Sequence, residues 1–147
     1  MRPVLVLTAS TALLTACAGP MEPTPDGPVV VDMNNDCAVI AAVAKDHYRF
    51  NAADNRPPPI RFGGDYAPRC DWSRHGLAFE AYDPDATGDP RQRVRWVSFD
   101  RPVYDSEGAL VKTGIMHGPL AGMGYECRVH SGFNGWTASE CRNTWVS

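Results

Sequence analysis

The tightest constraint on this chain lies near its end, where Cys127 and Cys141 stand symmetrically about Phe133-Asn134-Gly135. That tripeptide reads as a three-residue hairpin loop, a type I turn with Gly supplying the positive φ of the bulge position. Closing it with Gly132 opposite Trp136 sets Cys127 against Cys141, Glu126 against Arg142, and Arg128 against Glu140. One register thus gathers two thiols on one face and two opposite-charge pairs on the other, and a slip by one residue loses all three. Tyr125, Cys127 and Val129 then face inward, and His130 points outward with the charges.

The same treatment of Ser106-Glu107-Gly108, with Asp105 opposite Ala109, places Val103 against Val111 and Phe99 against Ile115. Arg101 opposite Thr113 breaks that apolar face, so a bulge is expected near Asp100 to Pro102, where Pro102 cannot donate to a ladder. From Leu77 onward the chain reads as strands over 77–82, 91–104, 109–117, 124–131 and 136–146, separated by turn residues. Upstream, Asn34, Asn35 and Asp36 are N-cap candidates before an Ala-rich stretch free of Gly and Pro, which predicts a helix over 36–50. Cys37, Ile40, Ala44 and Tyr48 form its apolar stripe, widened by Val39, Val43 and Phe50. The fold class is therefore α+β: one N-terminal helix on an antiparallel meander sheet of four to five strands. Between helix and sheet, Asn51 to Gly76 holds Pro57-Pro58-Pro59, Gly63-Gly64 and Pro68, so it reads as a long irregular loop that is functional or pinned.

The amino terminus speaks to compartment. Arg2 precedes an apolar run from Val4 to Leu14, too short for the roughly twenty residues a membrane-crossing helix needs, and small residues follow. The run closes on Leu14-Thr15-Ala16-Cys17, which resembles the lipobox of bacterial lipoproteins. The resemblance implies cleavage of a signal peptide at residues 1–16 and fatty acylation of Cys17. Several acyl chains, each buried CH₂ worth about 0.8 kcal/mol, hold a protein to a bilayer where one chain holds only reversibly. Ala18 stands where the inner-membrane retention signal of that family has Asp, so the pattern implies a lipid anchor in the outer membrane; a periplasm-facing domain is the expectation, though the pattern itself does not set the side. Residues 17–34, with Pro20, Pro23, Pro25, Pro28, Gly19 and Gly27, read as a tether, and 35–147 as a single domain.

Once Cys17 carries lipid, four cysteines remain in an oxidising compartment, which favours two disulfides over metal ligation. The hairpin register selects Cys127 with Cys141 and leaves Cys37 with Cys70, which would staple the long loop to the helix start. Each bridge is worth of order 3 kcal/mol in the chain-entropy model.

Charge narrows the partners. The 147 residues carry 14 basic and 17 acidic side chains, net −3, so the footprint of a duplex-binding protein is missing and nucleic acid is not expected as a partner. No Gly-x-Ser-x-Gly, His-Glu-x-x-His, Cys-x-x-Cys or P-loop occurs, and no metal or other cofactor is expected. Candidate binding residues are Trp72 and His75, on the loop that Cys70 would hold, and His117, before the glycine-rich stretch Gly118 to Gly124. Arg91, Arg93 and Arg95 alternate along a predicted strand and would form a basic stripe for an anionic glycan or headgroup. Asp71, Ser73 and His75 invite comparison with a catalytic triad, which needs the base on the nucleophile and a third group orienting it.

The segments Phe99 to Val111, Gly118 to Tyr125, Gly135-Trp136 and the closing Thr144-Trp145-Val146-Ser147 resemble the C-terminal half of small exported bacterial domains of unknown function. The resemblance implies a helix packed on an antiparallel sheet, somewhat like cystatin or NTF2-like domains, and says nothing of an activity. The expectation is an outer-membrane-anchored, non-catalytic module that binds an envelope protein or polymer through the 51–76 loop or the basic stripe. One alternative is a hydrolase-like enzyme with His75 or His117 as general base. The other is an inhibitor of an envelope enzyme that presents the Gly118–Gly124 turn as a wedge.

Overall fold

The computed structural model describes residues 33–147, apart from Thr87 and Gln92. The signal peptide, Cys17 and nearly all of the tether lie outside the described residues. Helix α1 spans Met33–Asp46, so it begins before the expected start at 36 and ends four residues sooner than expected. The early end has a cause in the backbone. Arg49 takes a left-handed φ of 61°, which turns the chain back so that the Phe50 amide reaches the Ala44 carbonyl at 3.0 Å and satisfies an acceptor of the last turn. Phe50 and Ala44 are both buried, so the returning chain joins the core at the end of the helix.

Val39, Ile40, Ala41, Ala42, Val43 and Ala44 are all buried, so the helix is enclosed rather than laid on the sheet by one stripe. Its alanines let the sheet approach on one side and the segment around Trp72 on the other. Asp36 does not cap the helix. Its carboxylate is buried in the first turn, where it accepts from the Tyr66 hydroxyl at 2.8 Å and the Tyr104 hydroxyl at 2.6 Å.

Among the described residues one sheet holds β1 (Ile60–Phe62), β2 (Trp96–Phe99), β3 (Val103–Asp105), β4 (Gly108–Gly118), β5 (Ala121–Gly132) and β6 (Gly135–Val146). Its order is β1-β2-β4-β5-β6, with β3 also on β4, and all pairs are antiparallel except β1 with β2. The count is six strands, not four to five. The extra strand, β1, lies inside the segment that reads as irregular. Pro57-Pro58-Pro59 presets an extended backbone without donors, and pairing begins at Ile60, the first residue after them with an N–H. Leu77–Tyr82 supplies only a bridge between Ala81 and Ile60.

The hairpin registers differ from expectation by one residue at the turns. Gly132 pairs with Gly135 and Val129 with Ala138, so Phe133-Asn134 is a two-residue loop. In that register the two thiols would fall on opposite faces. An extra residue at Glu140, with φ 49°, shifts the pairing so that Glu126 meets Arg142 and Cys141 comes round to Cys127. The disulfide Cys127–Cys141 closes across β5 and β6, and Cys37–Cys70 ties α1 to the 51–76 segment. Arg128 pairs with Asp105 at 2.6 Å and not with Glu140. Similarly Asp105 faces Gly108 and Val103 faces Leu110, while Phe99 faces Thr113; the pairing offset changes across Asp100–Pro102.

Val97, Phe99, Val111, Thr113, Cys127 and Val129 point to the helix and are buried. Thr113 donates to the Ser98 carbonyl at 2.7 Å and receives the Tyr48 hydroxyl at 3.1 Å, so no polar atom of this layer is stranded. β6 is an edge strand, and its Ala138 amide is taken by the Asp46 carboxylate at 2.8 Å. No helix among the described residues is long and apolar enough to cross a membrane.

Candidate functional site

The sheet face away from α1 carries a cleft of about 500 Å³. Its construction follows from the pairing. Ser98 faces Gly114, Gly114 faces Gly124, and Gly124 faces Trp145, so one row across four strands runs serine, glycine, glycine, tryptophan. The indole lies over the two glycines. A Cβ on Gly124 would overlap Nε1, Cε2 and Cδ1 of Trp145, and one on Gly114 would sit 3.0 Å from Cζ2. With the ring in this place Gly124 has no room for a side chain, and at Gly114 a side chain would press on the ring's edge. With one ring face on the glycines, Trp145 keeps 42% of its surface exposed.

The neighbouring row runs Lys112, Glu126, Arg142. Arg142 is joined to Glu126 at 2.6 Å, and Asp100 stands beside Lys112, whose carbonyl accepts the Asp100 amide at 2.9 Å. Two acidic and two basic side chains therefore line the cleft, with Ser98 and Thr144 hydroxyls between them. The charges balance. Chemically, such a surface presents an aromatic plate, hydroxyls and both signs of charge, and offers no excess of cations for a phosphate.

The residues singled out from sequence are placed elsewhere. Trp72 and His75 lie on a 3₁₀ turn over Trp72–His75. Trp72 is half-buried, packed edge-on to Phe79 with centroids 5.1 Å apart, and serves the core margin. His75 lies 6.5 Å from the Trp72 ring; burial pushes its pKa below the ordinary 6.5, with Lys45 acting the same way and Asp71 against it. The Ser73 hydroxyl donates to Asp71 at 2.6 Å, and Arg74 reaches the same carboxylate at 3.3 Å. That is a local turn network in which the carboxylate holds the serine directly, the reverse of a triad's order.

Arg91, Arg93 and Arg95 are not on a strand; they precede β2 in a turn region. Arg93 lines a cleft of about 250 Å³ with Glu80, Asp83 and Asp89. His117 is exposed at the bulge near the end of β4. The glycine-rich stretch after it is a two-residue turn, Pro119-Leu120, followed by paired strand from Ala121, and so forms no wide wedge.

Among the described residues, the cluster with metal-ligand spacing is His47, Cys127 and Cys141, whose sulfurs are bonded to each other. Sequence reasoning passed over Trp145, Gly114 and Gly124 as site residues. The signal was present as glycines at matching positions of adjacent strands with a tryptophan opposite them on the next strand, but it shows only once the registers are known.

Comparison of the chain with protein-family models, with characterised proteins and with solved structures gives no match.

Proposed function

We propose that this protein is a lipid-anchored binding module of a bacterial cell envelope, tethered through Cys17, and that it grips a glycan segment of an envelope polymer in the outer-face cleft. The cleft carries the reading: Trp145 offers a flat ring for stacking on a sugar, and Lys112, Asp100, Ser98 and Thr144 offer donors and acceptors at its rim. Leu14-Thr15-Ala16-Cys17 behind the apolar run supports the anchor, and Ala18 after it supports the outer-membrane address. A cystatin- or NTF2-like relationship belongs to the same proposal. Support comes from α1 enclosed by the antiparallel β4–β5–β6 meander, to which the parallel β1 is an addition.

The test is co-sedimentation of the mature protein with insoluble envelope glycan. Retention is expected, with Trp145→Ala and Lys112→Ala each weakening it about tenfold, the loss of roughly one stacking or charged hydrogen bond. Retention unchanged by both variants, or none by the wild type, overturns the glycan assignment. Mass spectrometry of the membrane-extracted protein should show acylated Cys17; an unmodified, uncleaved amino terminus overturns the anchor.

A further inference from the structure

A second constellation lies on the other face of the sheet and is independent of the glycan reading. His47, the first residue past α1, is held edge-on against Tyr125 at 4.3 Å and Tyr48 at 4.6 Å between ring centroids. One ring nitrogen of His47 and the sulfurs of Cys127 and Cys141 all lie within 4.8 Å of one another. Cys127 is wholly buried, whereas Cys141 is half-exposed at a cleft of about 210 Å³ lined also by Asp46, His47, Ala138, Ser139 and Glu140. The bulge at Glu140 makes this convergence, since without it Cys141 would face away from both partners.

We propose that Cys127, Cys141 and His47 form a redox-gated site for a thiophilic divalent cation of the Zn²⁺ class, closed while the disulfide stands and opened when a dithiol reduces it. The exchange is balanced. A reductant thiolate attacks the accessible Sγ of Cys141, Cys127 leaves as thiolate, and the reductant's second thiol resolves the mixed disulfide. The reductant ends as a disulfide, having supplied both electrons, and two thiols remain on β5 and β6. Zn²⁺ then displaces two protons from those thiols and takes the imidazole nitrogen as third ligand, and the cleft leaves a fourth position open to water. Bond lengths of about 2.3 Å to sulfur and about 2.0 Å to nitrogen set tetrahedral donors roughly 3.5–3.8 Å apart. The imidazole nitrogen already lies within 4.8 Å of both sulfurs, and the sulfurs move apart to that separation once their bond is reduced. Two sulfurs and one imidazole favour Zn²⁺ over the hard cations, which take oxygen.

The experiment compares the mature protein, oxidised and after reduction with a phosphine reductant, using Co²⁺ as a spectroscopic probe and Zn²⁺ in competition with a chromophoric chelator. Expected is a thiolate-to-cobalt charge-transfer band that saturates at one equivalent in the reduced protein and is missing from the oxidised one. His47→Gln, which leaves the disulfide intact, should weaken Zn²⁺ at least tenfold, and Cys37→Ser/Cys70→Ser should retain the band. Should the reduced chain lose its near-ultraviolet circular dichroism, Zn²⁺ must restore it. A band missing from the reduced protein, a band indifferent to His47→Gln, a band lost with Cys37 and Cys70, or a reduced chain that Zn²⁺ does not refold overturns the proposal.

Discussion

At the scale of single residues, Asp36 shows how a position can be named correctly and given the wrong task. Asp36 reads from sequence as a capping residue, yet its carboxylate holds two phenols that arrive from 30 and 68 positions away. Neither partner has any local signature. Burial and the carboxylate together push the Tyr66 hydroxyl far above its ordinary pKa, so it stays a donor at every working pH. Asp36→Ala strands a core phenol and is expected to cost about 3 kcal/mol in urea unfolding. Asp36→Asn, which retains an acceptor, should cost less than half as much. Gly124 makes the companion case. Gly124→Ala forces the Trp145 indole off the sheet and should lower both stability, by about 1–3 kcal/mol, and glycan retention; Gly64→Ala strains only its own backbone, φ 57°, in open space, and should leave retention unchanged.

Among the elements, the β5–β6 hairpin is the instructive one. The pairing of Cys127 with Cys141 and of Glu126 with Arg142 was legible because thiols and charges mark their own register. The turn was misread, and Arg128 with Glu140 with it, because periodicity cannot reveal that an extra residue in one strand offsets a shorter loop. Glu140 adopts its left-handed φ at a cost of about 1 kcal/mol, so Glu140→Gly should raise the unfolding free energy by up to that amount. Replacing both Cys127 and Cys141 by Ser should cost about 3 kcal/mol and lower Tm by well over ten degrees. β1 was missed for a different reason: three residues beside prolines carry too little pattern, and parallel pairing with a strand 34 residues away leaves no turn to read.

For the molecule as a whole, the class was legible and the site was not. One Ala-rich helix and a run of alternating strands define α+β, whereas the cleft is assembled from four strands whose offsets had to be known first. Global stability should also respond to pH through His75. Its folded pKa lies below the unfolded 6.5 because burial, Lys45 and Arg74 outweigh Asp71. Between those two values the unfolded chain binds more protons, so stability is full above pH 6.5 and declines as pH falls toward the folded value, then levels. Thermal melts from about pH 7 to about pH 5 should show that decline, and His75→Gln should flatten part of it.

The border strand of the sheet has a social consequence. A neighbour sliding alongside β6 meets the Asp46 carboxylate where it needs a free amide, and then kinks at Glu140 and Thr144 that spoil a straight zipper. Such a selvage, one amide already taken and two breaks in the pleat, blunts the border against strand addition by a second chain.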